Sequence, residues 1–430
     1  MNTRRRAQLV ERHHTPLIVE RYRWPNGLEL IYQPDHGAPL LSYQTWVKVG
    51  SADEEVGSTG VAHFFEHLMF KGTERYPDGE LDRLLEEVGG EVNAATWLDW
   101  TYYYVDLPSA YLERVVDVEA DRLSNLRLTS EVFEAERSVV MNERRECVED
   151  DPEGTLDELL WRHGLGEGHP YAHPTIGWME DIKRLSIPDC EAFYKRHYAP
   201  NRVSIVVCGD VERDHLLDLI DTHYGDLAPH AEPPLPVFSP APQPHGGSHE
   251  ISLNIHSTKV QLGFQVPAIS DPMIIALECL DELLLSSDSS RLYQALIFED
   301  ELASDVYSMT PRFRGSALYE VGIDLLPDRT PEQVQARVLS ELGAIARGEI
   351  DEDELTRARL SKELSGYLGL QTVQQRAQSL GFWATVTGDV SAIWRRQELL
   401  ASVSIEDIQR VARLLLEPAR QVMIIGLPSE

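Results

Sequence analysis

Val61-Ala62-His63-Phe64-Phe65-Glu66-His67-Leu68, preceded by Thr59-Gly60 and followed by Met69-Phe70, is the stretch from which the rest of the 430-residue chain can be read. Written as a helix, it stacks His63, Glu66, His67 and Phe70 along one face, because residues three, four and seven apart are neighbours on a helix. Val61, Phe65, Leu68 and Met69 occupy the opposite side. The segment is apolar wherever it is not ionisable, a pattern that predicts burial. Two imidazoles and a carboxylate on a buried helix need a partner.

A zinc ion is that partner. Imidazoles at i and i+4 reach one ion, and a carboxylate at i+3 then sits over a water on it, with the usual order of the zinc-binding pattern inverted. The third ligand has to come from elsewhere. Downstream, a helix expected from Ser130 to Cys147 carries Glu136 and Glu143 two turns apart on one stripe, with Val139 and Val140 beside it. Periodicity leaves open which of the two faces the zinc helix, and Glu131, Glu134, Glu146 and Glu149 make a solvated acidic face the alternative.

Around this pair of helices the pattern is that of strands and helices mixed through the chain. Leu17 to Trp24 and Leu28 to Gln33 read as a hairpin about Pro25-Asn26-Gly27, Leu41 to Val49 as a third strand, and Glu91 to Thr96 and Thr101 to Leu107 as two more. Helices are expected over Glu80 to Val88, stopped by Gly89-Gly90, and over Ala110 to Asn125. In the second half, Lys259 to Val266, Val306 to Pro311 and Ala317 to Leu325 read as strands; 272–285, 290–302, 331–347, 353–368 and 373–387 read as helices.

Seven prolines between Ala228 and Ser248, with Gly246-Gly247, mark an extended linker. It separates residues 1–227, the expected metal-binding domain, from 249–430, with 228–248 between them. A repeat supports the division. Leu185-Ser186-Ile187-Pro188-Asp189, Pro200, Val203 to Val207 and Gly209 are echoed by Val403-Ser404-Ile405-Glu406-Asp407, Pro418, Val422 to Ile425 and Gly426. Each copy is a Ser-capped helix, a Pro-ended loop and a buried strand. Two similar α+β domains follow, and the second has no counterpart of His63, Glu66 and His67.

Bulk composition narrows the function. The chain is 42% hydrophobic and 26% charged, without an apolar run long enough to span a bilayer. A net charge of −32 argues against nucleic acid as a partner, since phosphate binding needs a basic surface. Cys147, Cys190, Cys208 and Cys279 are scattered and suggest neither disulfides nor a thiolate metal site. No apolar segment follows the basic residues at the N-terminus, so the cytoplasm is the expected compartment.

With these residues in hand, the chain resembles the pitrilysin and insulinase family of inverted-motif zinc metallopeptidases, in particular its two-domain, mitochondrial-processing-peptidase-like branch. His63-Phe64-Phe65-Glu66-His67 is similar to the family's zinc helix, and Glu136 to Glu143 to the helix supplying its third ligand. The resemblance implies peptide hydrolysis, with Zn²⁺ on His63, His67 and Glu143, Glu136 as a supporting carboxylate and Glu66 as general base. Gly90 to Thr96 resembles the substrate-binding edge strand, which gives Asn93 and Ala94 that role; His169-Pro170-Tyr171 with Thr175-Ile176-Gly177 resembles another recurring segment. Arg312 and Tyr319 resemble the arginine and tyrosine that approach the zinc in active members, with Arg314 and Tyr307 as competitors. The expected partners are short or unfolded peptides and a second copy of the chain, a homodimer enclosing a chamber, or else a related subunit. The competing class is a non-catalytic structural or assembly subunit of the same fold.

Overall fold

The structure, a computed structural model, describes residues 6–14, 17–231, 236, 238 and 247–429. A first sheet contains β1 (Gln8–His13), β2 (Val19–Arg23), β3 (Glu29–Pro34), β4 (Leu40–Val47), β5 (Glu91–Thr96), β6 (Thr101–Pro108) and β7 (Val203–Gly209), in the order β1-β2-β3-β7-β4-β6-β5. Gly27 makes the β2–β3 turn with φ at +87°, where a side chain would run into Asn201. The edge strand β1 is absent from the sequence reading: its residues are mostly exposed and carry no alternation to detect. Every neighbouring pair is antiparallel except β3 and β7.

The second sheet holds β8 (Ser248–Leu253), β9 (Lys259–Val266), β10 (Ala303–Met309), β11 (Ala317–Leu325) and β12 (Gln421–Pro428), in the order β10-β11-β9-β12-β8. Here β12 is parallel to β8 and antiparallel to β9, just as β7 is parallel to β3 and antiparallel to β4. The sequence repeat is thus one structural unit seen twice. Helices Ile187–His197 and Ile405–Leu415 each begin after a serine, Ser186 or Ser404, whose backbone N–H donates to Asp189 or Asp407 at 2.9 Å. Each leads through a Pro-initiated turn into the inner strand of its sheet. The α+β class and the two similar domains are therefore those the sequence implies.

The compact units are not continuous halves of the chain. One gathers residues 1–142, 174–236 and 368–393; the other gathers 143–173, 237–367 and 394–430. Helix Pro152–Leu165 lies on β9, β11 and β12, with Gly164 so close that a side chain there would meet Leu318 at 2.8 Å. Helix Val373–Val386 lies on β3, β4 and β7, with Gly381 against the Trp46 indole. This corrects the division at 228–248, because chain order says nothing about which sheet a helix covers. Most of the proline-rich stretch itself lies outside the described residues.

In the first unit, the opposite sheet face packs on Val61–Leu68, Leu112–Ser124, Ile187–His197 and Arg213–Tyr224 through a core that includes Tyr43, Phe64, Phe65, Tyr103 and Ile205. In the second, Met273–Leu284, Pro331–Ala346 and Ile405–Leu415 build the corresponding core with Phe264, Tyr319 and Val321. The helix expected to run to Cys147 ends at Arg144. A wider turn follows over Arg145–Glu149, closed by Asp150 N–H donating to the Arg145 carbonyl at 2.7 Å, and Gly154 lies against the Cys147 carbonyl, where a side chain would not fit. Among the described residues no helix is long and apolar enough to cross a membrane.

Candidate metal centre

Helix Val61–Leu68 starts at Gly60, whose φ of +85° and contact with the Ile176 carbonyl admit only glycine. Gly177 closes the same contact from the other side, which gives Thr175-Ile176-Gly177 a structural purpose. Glu54 completes the start of the helix: its carboxylate accepts from the N–H groups of Gly60 and Ala62, both at 2.8 Å. Val61, Ala62, Phe64, Phe65 and Leu68 are buried, so the helix cannot rotate without exposing them. His63 and His67 are held half-buried on the remaining stripe, their rings edge to face with centroids 4.7 Å apart.

Helix Ser130–Arg144 brings Glu143 to the two histidines. One ligand atom from each of His63, His67 and Glu143 lies within 4.8 Å of the others. Zinc–ligand bonds of about 2.0–2.2 Å separate tetrahedral donors by roughly 3.4 Å, so small side-chain rotations suffice to close on an ion. Two neutral imidazoles and a carboxylate are the donor set of hydrolytic zinc sites that keep one position open. The residues fit the metal.

Glu136 takes the other side of His67. Its Oε1 lies 2.8 Å from His67 Nδ1 and its Oε2 accepts from Lys71 Nζ at 2.8 Å. Burial opposes the charge on Glu136, but the hydrogen bonds from His67 and Lys71 prevail and hold its carboxyl below the ordinary range. With Nδ1 held this way, Nε2 of His67 is left for the ion. Lys71 was missed in the sequence, although its place four residues after His67 could have suggested it. Glu66, on the same helix, is buried.

Strand β5 lies at the edge of its sheet, paired with β6 alone among the described strands, and the Val61–Leu68 helix packs against it. Asn93 is exposed and Ala94 half-buried, opposite Tyr104 and Tyr103.

The expected arginine and tyrosine are placed differently. Tyr319 is 1% exposed, and its hydroxyl donates to Asp281 at 3.0 Å inside the core of the second unit. It faces the helices of its own unit and is not available to a substrate, which corrects the role expected for it. Arg312 is half exposed and donates through Nε to the buried Glu278 at 3.0 Å, a carboxylate that also pairs with Arg396. Of the competitors, Tyr307 is the surface tyrosine. Its ring lies over Gly322, and its hydroxyl donates to Glu153 at 2.7 Å and accepts from Gln261 at 2.6 Å. Arg314 stacks on Phe238.

Comparison with known proteins gives the same picture. The family model described as Insulinase (Peptidase family M16) matches residues 30–174, and that described as Peptidase M16 inactive domain matches 184–362. An uncharacterized zinc protease of Mycobacterium leprae is 31% identical over 412 residues, 95% of this chain and 92% of its own length. The zinc protease PqqE of Helicobacter pylori is 28% identical over 94% of this chain and 91% of its own length. A crystal structure of a protease from Helicobacter pylori covers 96% of this chain and 100% of its own, at 26% identity and a TM-score of 0.89. The chain belongs to the insulinase family of peptidases, M16.

Proposed function

We propose that this protein is a zinc-dependent endopeptidase acting on short or unfolded peptides. The observation that carries the proposal is the meeting of His63, His67 and Glu143 on one side of a helix that also bears Glu66. Zinc held by these residues supplies a Lewis acid and lowers the pKa of a water to about 7. The chain's own residues do the rest. Glu66 takes the proton from the attacking water and delivers it to the leaving amine. Glu136 and Lys71 hold His67 in the orientation the ion requires.

An extended peptide adds to the free edge of β5 near Asn93 and Ala94, with backbone hydrogen bonds that tolerate varied sequence. Arg312 is a candidate for holding a substrate carbonyl or carboxylate. The active form is a dimer enclosing the peptide, for which two copies of this chain suffice. Its compartment is the cytoplasm, which four free cysteines favour.

The test is cleavage of quenched fluorescent peptides with and without a chelator. Wild type is expected to cleave, to stop on chelation and to recover with zinc. Glu66→Gln is expected to keep its zinc and lose about a thousandfold or more in kcat/KM. Peptides left intact by the zinc-loaded chain would overturn the proposal and favour a structural subunit of the same fold.

A further inference from the structure

Glu143 is the next-to-last residue of helix Ser130–Arg144. The end of a helix is where its backbone hydrogen bonds run out, so a metal ligand placed there needs its direction fixed from outside the helix. His67 has such support in Glu136 and Lys71. For Glu143 the support stands one residue on.

Arg144 is 5% exposed, and its Nη2 donates to Glu158 Oε2 at 2.7 Å; Glu149 lies farther off, 3.8 Å from its Nε. Successive residues leave a helix about 100° apart, so Arg144 can hold the turn it shares with Glu143 without competing for that carboxylate. Glu158 is itself firmly based. It belongs to helix Pro152–Leu165, whose Leu156, Leu160 and Leu165 are fully buried and whose Trp161 donates to Glu320 at 2.7 Å. The turn between the two helices is tied down as well: Thr155 Oγ1 donates to the Val148 carbonyl at 2.6 Å, and Asp151 accepts from the Gly154 N–H at 3.1 Å. An apolar pair in place of Arg144 and Glu158 would hold the helices together as well as the ions do. What the ion pair adds is register, because a planar guanidinium meets a carboxylate in few orientations.

We infer that Arg144 and Glu158 are positioning residues for the metal centre, their ion pair setting the direction in which Glu143 meets His63 and His67. The inference rests on the zinc reading above and extends it to two residues outside the ligand set.

Zinc affinity of the full chain, measured by competition with a chromogenic chelator, tests it through a double-mutant cycle. Arg144→Ala and Glu158→Ala are each expected to weaken zinc binding by about tenfold, and the double variant by no more than either alone. Circular dichroism matching wild type is required of all three. Should one fail to fold, Arg144→Lys and Glu158→Gln take their places in the cycle, with a loss of about threefold expected and the same comparisons deciding. Folded variants that bind zinc as tightly as wild type overturn the inference, whatever their melting temperatures, because the pair then serves stability alone. Losses that add up in the double variant overturn it too, since the two residues would not then act as one. A wild-type chain that binds no zinc overturns the zinc reading and this inference with it, and is told apart because it shows before any variant is compared.

Discussion

Glu136 and Glu143 show how much depends on a single side chain. They lie two turns apart on one stripe and could exchange roles on paper, yet the structure gives them different work: Glu143 joins the histidines, while Glu136 holds the far nitrogen of His67. Glu136→Gln is therefore expected to leave the fold intact and to weaken zinc binding by about 10–100-fold, read by competition with a chromogenic chelator. A variant binding zinc as tightly as wild type would remove Glu136 from the site. Glu320, in the second unit, is a different case. Its buried carboxyl accepts from the Trp161 indole N–H at 2.7 Å, and burial, helped by nearby Asp157, pushes its pKa up to about 8 from 4.5. The folded state thus binds a proton that the unfolded state has released, and this stabilisation is lost as pH rises from about 4.5 through 8. Glu320→Gln is expected to unfold at higher urea than wild type at pH 9, by about 2–4 kcal/mol, and to show little difference near pH 4. Equal differences at both pH values would contradict the assignment.

At the scale of elements, the zinc helix was legible in the sequence because its apolar and ionisable residues separate cleanly at helical spacing. The Ser186 and Ser404 repeat was legible because capping serines, turn prolines and apolar strands recur in step. Strand β11 was not. Its residues are buried on both faces, so no polar alternation shows that Tyr319 turns toward the helices of its own core while Leu318, Glu320 and Gly322 turn the other way. The start of the zinc helix carries a further expectation. Gly60→Ala forces a side chain into the Ile176 carbonyl at a φ of +85°. It should cost about 2 kcal/mol or more in thermal unfolding and reduce zinc binding with it, since both histidines hang on that helix. A fully stable Gly60→Ala chain would show that the contact yields.

For the molecule as a whole, the similarity of the two sheets could be read from the repeat, but the exchange of helices could not. Leu156, Leu160 and Gly164 form a stripe fit for any sheet, and only folding shows that Pro152–Leu165 lies on β9, β11 and β12. The proline-rich stretch was a fair signal of a connection and a poor guide to which residues pack together. Two units of one topology, a single metal-binding helix and a third ligand about eighty residues away make zinc the feature on which the chemistry turns. The most direct test is the zinc content of the purified chain after dialysis against trace zinc. The account predicts one zinc per chain for wild type and for Glu66→Gln, and less than about a tenth of that for Glu143→Ala with an unchanged circular dichroism spectrum. A folded Glu143→Ala chain that still carried one zinc would contradict it.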